Sequence, residues 1–141
     1  MEEFTQAEII VVEDNDSDAE LTYIALNNCL QNCKIQRLYD GEEATDFFKT
    51  WSINTNREKK VLPDLILLDF NLPKVNGIEV LKRIKNNEWT KQIPVVMMAS
   101  SKTQNDIQLI FKSGADSYIE KSIFFEKFFK EIEHACEVWL K

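Results

Sequence analysis

The chain has 141 residues, of which 44% are hydrophobic and 29% are charged, and its formal net charge is −7. This length and composition are typical of one globular domain. The acidic balance, without a basic stripe, argues against direct binding to DNA. The apolar runs are far shorter than the ~20 residues of a membrane span, and the N-terminus lacks the apolar segment of a secretory signal. We therefore expect a cytoplasmic protein without membrane contact.

Short apolar runs alternate with helical patterns from the first residues onward. Residues 9–12 predict a strand, and a helix follows from about residue 16 to residue 28. An approximate core stripe of this helix is formed by Ala19, Leu21, Ile24, Ala25 and Leu26. Residues 35–39 alternate with period two, which is typical of a half-exposed edge strand. A second helix starts at residues 40–43.

The alternation continues to the end of the chain. Residues 51–63 are polar and predict a long surface loop. Further strands are predicted at residues 65–69, 95–98 and 116–120. Further helices are predicted from residue 76, over about residues 103–112, and up to residue 139. Gly114 stands where a helix C-cap is expected.

This order of elements predicts the fold class. Alternating strands and helices form a parallel sheet covered on both faces. Right-handed crossovers then give an α/β fold with a doubly wound five-stranded sheet, a flavodoxin-like three-layer αβα sandwich with strand order 2-1-3-4-5. We expect residues 8–141 to form this domain and residues 1–7 to be an N-terminal extension.

Charged side chains follow three of the predicted strands. Strand one ends in Glu13 and Asp14, strand three ends in Asp69, and Lys121 follows strand five. Strands one and three are neighbours at the switch point, where open α/β sheets bind ligands. Converging carboxylates repel one another and need a cation. Mg²⁺ fits because it prefers oxygen ligands.

A carboxylate neutralised in this way is suited to accept a phosphoryl group. Mg²⁺ and Lys121 would balance the charge on the transferred oxygens, and the hydroxyl of Ser100 or Ser101 could donate a hydrogen bond to one of them. Each acid also has a structural alternative, since Asp14 or Asp16 could cap helix one. The combination at three strand ends favours a phosphoryl site.

The motifs around these residues resemble those of the receiver domains of two-component response regulators, over about residues 8–141. They are residues 9–14, residues 64–73 with Gly77, residues 93–96 and residues 118–121.

The resemblance assigns a role to each residue of the site. It implies that Asp69 is the phosphoacceptor and that Lys121 pairs with the phosphate. Mg²⁺ would be bound by Asp69, by Asp14 directly, by Glu13 through water and by the backbone carbonyl of Asn71. Tyr118 matches the aromatic switch residue, which turns inward on activation.

Two positions depart from the family pattern. Ala99 stands where the family has a switch Thr or Ser, so we expect phosphorylation to persist with weaker or differently routed coupling to Tyr118. Ser100 would replace the missing hydroxyl only in part. Ser122 stands where the family usually has a proline after a cis peptide bond, and cis and trans both remain open for this bond.

Three features resemble those of the single-domain regulators that are paired with phytochrome-type histidine kinases. They are the long loop at residues 51–63, the pair Lys121-Ser122 and the helical tail that ends at residues 137–140. We therefore expect a histidine kinase as partner, of phytochrome or hybrid type, and an output through a protein surface. The last helix carries four phenylalanines, Phe124, Phe125, Phe128 and Phe129. Either all are buried, or some form an exposed patch for a partner or for a homodimer through helix four, strand five and helix five.

There are two alternative functions. A pseudo-receiver would act only as an interaction module. Ala99 favours it, but the intact Glu13, Asp14, Asp69 and Lys121 argue against it. A phosphohydrolase with an aspartyl-phosphate intermediate usually carries a second acid two residues after the nucleophile, where this chain has Asn71. We therefore expect a signalling domain that assists its own phosphorylation and dephosphorylation, and not an enzyme.

Three cysteines, Cys29, Cys33 and Cys136, fit no strong metal-binding pattern. The spacing of Cys29 and Cys33 would suit half of a zinc site, but free thiols in a reducing compartment are the favoured interpretation.

Overall fold

Five strands and five helices alternate in the computed structural model, which describes residues 7–53, 62–100, 103–121 and 124–140. The strands are β1 (Ala7–Val12), β2 (Cys33–Leu38), β3 (Leu65–Asp69), β4 (Val95–Ala99) and β5 (Ser117–Glu120). The helices are α1 (Asp16–Cys29), α2 (Gly41–Ile53), α3 (Gly77–Lys85), α4 (Gln104–Lys112) and α5 (Phe125–Trp139).

The strands form one parallel sheet in the order β2-β1-β3-β4-β5, which confirms the predicted fold class. Every residue of β3 and β4 is buried, because helices cover both faces of the central strands. Exposed and partly buried residues alternate along the edge strand β2 as far as Arg37, as predicted, and Leu38 at its end is buried. Among the described residues, no helix combines the length and apolar character needed to cross a membrane.

The sheet separates two apolar layers, because successive strand residues point to opposite faces. Ile10 and Val12 of β1 pack with side chains of α2, α3 and α4. Ile9 and Val11 pack with side chains of α1 and α5. Each fully buried aliphatic side chain contributes about 1.5–3 kcal/mol, so the two layers together hold all five helices against the sheet.

Two details differ from the sequence-based expectations. Ile24 is 46% exposed and does not belong to the core stripe of α1. A helix turns about 100° per residue, which places Ile24 opposite the buried side chains of Ala19 and Leu26. Thr22 takes the interior position, and its hydroxyl donates to the carbonyl oxygen of Asp18 at 2.9 Å. In addition, α2 extends to residue 53, so the predicted loop starts later, and residues 54–61 lie outside the described residues.

The loop between β1 and α1 is tied to the edge strand by Arg37 of β2. Its Nε donates to the carbonyl oxygen of Glu13 at 2.9 Å, and its Nη1 lies 3.0 Å from Oδ1 of Asp16. The guanidinium also stacks 4.0 Å from the ring centroid of Tyr39. Asn15, and neither of the acids considered above, caps α1, since its side chain accepts from the amide of Asp18 at 2.8 Å. The backbone of residues 13–16 is therefore held by Arg37 of β2 and by the capping hydrogen bond of Asn15.

Lys85 links the starts of β4 and β5, at the end of the sheet opposite the strands' carboxyl ends. Nζ of Lys85 lies 2.9 Å from Oδ2 of Asp116 and donates to the carbonyl oxygen of Ile93 at 2.8 Å. The same Oδ2 of Asp116 accepts from the amide of Val95 at 2.8 Å. Gly114, two residues before Asp116, has a φ of +114°, which fits its predicted place at the end of α4. These contacts of Lys85 and Asp116 fix the starts of β4 and β5.

Gly77 allows α3 to begin directly behind Asp69. Its amide donates to the carbonyl oxygen of Phe70 at 3.2 Å. A β-carbon at this position would overlap the carbonyl oxygen of Asp69 and would lie 2.8 Å from Cα of Phe70. These neighbours are backbone atoms, so a side chain at position 77 would displace the turn that follows β3.

We expect Gly77→Ala to lower the free energy of unfolding by about 1–3 kcal/mol, because the added methyl group overlaps backbone. In a helix interior the same change gains up to about 1 kcal/mol, so a loss identifies the overlap as the dominant effect. Urea denaturation followed by circular dichroism measures it. Lys82→Ala in the same helix, at an exposed position, is the control and should stay within about 0.5 kcal/mol of wild type.

Arg37→Ala should lower the free energy of unfolding by about 1.5–3 kcal/mol, because it removes a charged hydrogen bond to a buried carbonyl group. The control is Asp16→Ala, which breaks only the ion pair. The side chain of Asp16 is 90% exposed and that of Arg37 is 10% exposed, so the control should cost about 0–1 kcal/mol. Equal losses in both variants would show that the ion pair, and not the bond to Glu13, holds the loop.

Candidate functional site

Three carboxylates meet at the carboxyl ends of β1 and β3. Oxygen atoms of Glu13, Asp14 and Asp69 all lie within 4.8 Å of one another. The paired strands β1 and β3 end together, with Val12 opposite Leu68. Glu13 and Asp69 are buried, whereas Asp14 is exposed. The predicted convergence of these acids is therefore present in the structure.

Lys121 places its ammonium group among these acids. Its Nζ lies 2.9 Å from Oε1 of Glu13 and 3.2 Å from Oδ1 of Asp69. The backbone positions it, because its amide donates to the carbonyl oxygen of Ala99 at 2.8 Å, directly after β5. A third acid, Asp18 in the first turn of α1, lies 2.9 Å from the same Nζ.

Burial and charge act on these groups in opposite directions. Burial, and next the neighbouring carboxylate of Asp69, raises the pKa of Glu13 to about 8, although Lys121 opposes the shift. Burial alone would lower the pKa of Lys121, but Asp69 and Glu13 more than offset it and raise that pKa above its ordinary value. Lys121 therefore remains a cation at neutral pH.

The acids outnumber the ammonium that they share. Lys121 contacts three carboxylates, and Asp14 adds a fourth to the group. Oε1 of Glu13 is buried and lies near Nζ of Lys121, yet no hydrogen bond of good geometry from the described part of the chain satisfies it. Even where Glu13 is protonated, below its raised pKa, Asp14, Asp18 and Asp69 outnumber the one ammonium. A cluster of carboxylate oxygens with excess negative charge suits a hard divalent cation, which takes oxygen ligands. The residues present thus fit a metal such as Mg²⁺.

Asn71 and Ser100, which the sequence also predicts at the site, lie at its margin. Asn71 is exposed, and its backbone amide donates to Oδ1 of Asp69 at 3.2 Å. Ser100 is exposed and directly follows β4. Ser101 and Ser122 lie outside the described residues, so the isomer of the bond between Lys121 and Ser122 remains a prediction.

The two predicted switch positions lie on neighbouring strands. Ala99 ends β4 and is fully buried. Tyr118 in β5 is partly buried and packs against the apolar layer that contains Ala99. β4 and β5 are paired so that Met97 is opposite Tyr118. The structure therefore brings both residues to the same side of the sheet.

Sequence reasoning missed Asp18 and Arg37. Acids are common in the first turn of helices because they complement the helix dipole, so Asp18 has no distinguishing signal. Arg37 stands in a half-exposed strand, where a charged residue is expected at the surface. Their contacts with Lys121 and with the backbone of Glu13 depend on tertiary packing.

The phenylalanines of α5 divide between interior and surface. Phe128 is buried and Phe129 is partly buried. Phe124 and Phe125 are 68% and 56% exposed. The hypothesis that all four are buried is therefore wrong, and an exposed aromatic pair stands at the start of α5.

Comparison with known proteins gives the same picture as the geometry. The family model for the response regulator receiver domain matches residues 9–133. The chain is 34% identical over 132 residues to the probable methanogenesis regulatory protein FilR2 of Methanothrix harundinacea, covering 94% of this chain and 83% of that protein. It is 33% identical over 133 residues to the response regulator Rcp1 of Synechocystis sp., covering 94% and 88% of the two chains.

Two solved structures of response regulators are also similar to this chain. The phosphorylated cyanobacterial phytochrome response regulator RcpA has a TM-score of 0.84 at 34% identity, over 97% of this chain and 96% of that one. The Mn²⁺-bound form of Rcp1 has a TM-score of 0.81 at 32% identity, over 96% and 95% of the two chains. Since the family model spans most of the chain and both relatives align along most of their length, this chain belongs to the receiver domains of two-component response regulators.

Proposed function

We propose that the chain accepts a phosphoryl group on Asp69 from a phosphohistidine of a histidine kinase and signals through protein contacts. The observation that carries the proposal is the buried carboxylate of Asp69 at the end of β3, 3.2 Å from Nζ of Lys121 and grouped with Glu13 and Asp14. Membership of the receiver family supports it. The same family is one of signalling domains, and assistance of its own phosphorylation and dephosphorylation is part of the proposal.

The two oxygens of Asp69 have different surroundings, which supports different tasks for them. Oδ1 accepts from the amide of Asn71 and lies beside Lys121, each at 3.2 Å. We therefore take Oδ2 as the nucleophile. In the transfer, a bond forms between Oδ2 and phosphorus while the bond from phosphorus to the histidine nitrogen breaks, and that nitrogen keeps the electron pair. Lys121, with Ser100 at the margin, would then stabilise the charge on the phosphoryl oxygens.

Mg²⁺ is the metal that we propose for this site. Asp14, Asp69, the backbone carbonyl of Asn71 and, through water, Glu13 would hold it. When bound, Mg²⁺ would offset negative charge on the reacting oxygens. The excess of carboxylates around Lys121 supports this assignment, as does the unsatisfied Oε1 of Glu13.

The proposed output uses the face formed by α4, β5 and α5. Ala99 has no hydroxyl to contact a phosphate, so coupling to Tyr118 would be weaker or would follow another route. Large apolar side chains are exposed on the two helices, namely Leu109 and Phe111 of α4 and Phe124 and Phe125 at the start of α5. Exposed apolar groups of this kind mark interaction surfaces, and we propose homodimerisation here.

The wider setting of the proposal follows from the relatives. RcpA is a phytochrome response regulator, and we propose a kinase of phytochrome or hybrid type as the phosphodonor. The three free thiols fit a cytoplasmic location. We propose residues 8–141 as the receiver domain and residues 1–7 as its extension.

Incubation with acetyl phosphate and Mg²⁺ should add one phosphate to the wild-type chain, and Asp69→Asn should add none, because the nucleophile is lost. Intact-mass spectrometry measures the increment. Asp46→Asn, an exposed acid of α2, is the matched control and should react like wild type. Chelation of Mg²⁺ should suppress the wild-type reaction. Phosphate on Asp69→Asn would falsify the assignment, and no phosphate on any variant would favour the pseudo-receiver.

The double variant Phe124→Glu with Phe125→Glu should reduce the dimer fraction, because two carboxylates would be buried against an apolar partner surface. Sedimentation velocity over a concentration series measures this. Ile24→Glu, which alters another exposed apolar residue, on α1, is the control and should leave the dimer fraction unchanged. A monomeric wild-type chain at every concentration, with and without phosphorylation, contradicts the dimer.

A further inference from the structure

Two of the three cysteines face each other across the contact between α1 and α5. Cys29 is the last residue of α1, and Cys136 lies in the last turn of α5. They are 107 positions apart in sequence, yet their Sγ atoms lie 3.8 Å apart. Both are free thiols. A disulfide has a sulfur–sulfur length of about 2.05 Å, so the two sulfurs need to approach by less than about 2 Å.

The surroundings give the two thiols different access to solvent. Cys136 is buried in the apolar layer beneath α1 and α5, whereas Cys29 is partly exposed. A groove of about 420 Å³ opens beside Cys29 and is also lined by Glu126, Lys130 and Glu133. With two carboxylates and one ammonium, this groove favours a small neutral oxidant such as hydrogen peroxide over an anionic one.

We infer that Cys29 and Cys136 form an intramolecular disulfide when the chain meets hydrogen peroxide, which makes the α1–α5 contact a reversible oxidative modification site. This inference is independent of phosphorylation at Asp69. It makes Cys29 the thiol that is oxidised first and Cys136 the thiol that completes the bond.

The reaction proceeds in two balanced steps. The thiolate of Cys29 attacks one peroxide oxygen, so a sulfur–oxygen bond forms, the oxygen–oxygen bond breaks and hydroxide leaves. The sulfur of Cys136 then attacks Sγ of the resulting sulfenic acid, so the disulfide forms and water leaves with the proton of Cys136. The two thiols lose two electrons in total, and the peroxide gains them.

The environment of Cys29 lowers the rate of the first step. Burial is the main cause that raises the pKa of Cys29, and Glu133 and Glu137 add to it, although the contact with Cys136 acts against the shift. Burial likewise raises the pKa of Cys136. The thiolate is the reactive form, so oxidation is slower than that of an ordinary exposed thiol.

Cys33 provides a control inside the same region. It is partly exposed at the start of β2, four residues after Cys29, and its Sγ lies 3.5 Å from Oδ1 of Asn27. The thiol of Cys33 therefore has an amide oxygen of α1 as its hydrogen-bond partner, whereas the sulfurs of Cys29 and Cys136 contact each other. If proximity in sequence governed oxidation, Cys33 would be joined to Cys29; if the helix packing governs it, Cys136 is joined instead.

The test treats the full chain and Cys33→Ser with hydrogen peroxide, blocks the remaining thiols by alkylation and identifies linked peptides by mass spectrometry without reduction. We expect a Cys29–Cys136 link in both proteins, with the loss of two hydrogen atoms and full reversal by dithiothreitol. Because the bond closes a long loop, the melting temperature should rise by roughly 5–15 °C on oxidation. Cys136→Ala should show neither the link nor the rise.

Three outcomes would overturn the inference. They are a link between Cys29 and Cys33, links that join separate chains, and oxidation of Cys29 to a sulfinic acid without any link. Cys33→Ser changes a partly exposed thiol and retains both members of the pair, so its result stands even if Cys136→Ala folds poorly.

Discussion

The buried carboxylates of Glu13 and Asp69 share the ammonium group of Lys121, and the arrangement of the carboxyl edge of the sheet depends on this contact. It joins β1, β3 and the end of β5, although β4 lies between the last two. Buried charges are costly unless they are paired, so neither acid is tolerated there without the lysine. The pairing is incomplete, because the acids outnumber the ammonium. The remaining negative charge suits a cation and supports the phosphoryl transfer that we propose at this edge.

The covering of the sheet explains how this edge connects to the rest of the molecule. The helices α1 and α5 share one face, and α2, α3 and α4 share the other. The first face holds Asp18 at the start of α1, where it contacts Lys121, and the cysteine pair at the far end of the same two helices. The second face carries Ala99 and Tyr118, together with the helix that begins at Gly77 behind Asp69. Different residues therefore connect each layer to the acidic cluster, Asp18 on the first face and Gly77 behind Asp69 on the second.

Much of this organisation could be predicted from the sequence, because it follows from short-range patterns. Three features mark strand ends in the sequence: the apolar run before Asp69, the acid pair after the first strand and the lysine after the fifth. A parallel topology brings these strand ends together. What could not be predicted depends on which side chain fills a given space. The exposure of Ile24 follows from the rotation of α1 against the sheet, with Thr22 able to satisfy its hydroxyl within the helix. The roles of Asp18 and Arg37 depend on distances that only the packed structure sets.

The anchoring of the β1–α1 loop by Arg37 has a consequence for local dynamics. Arg37 belongs to β2, which is paired on one side only because it lies at the edge of the sheet. Edge elements open more readily than central ones, through local unfolding that leaves the rest of the fold intact. Each such opening also releases the carbonyl group of Glu13 from the guanidinium. The local opening of β2, and not the stability of the core, therefore sets how often the loop between β1 and α1 loses its contact with Arg37.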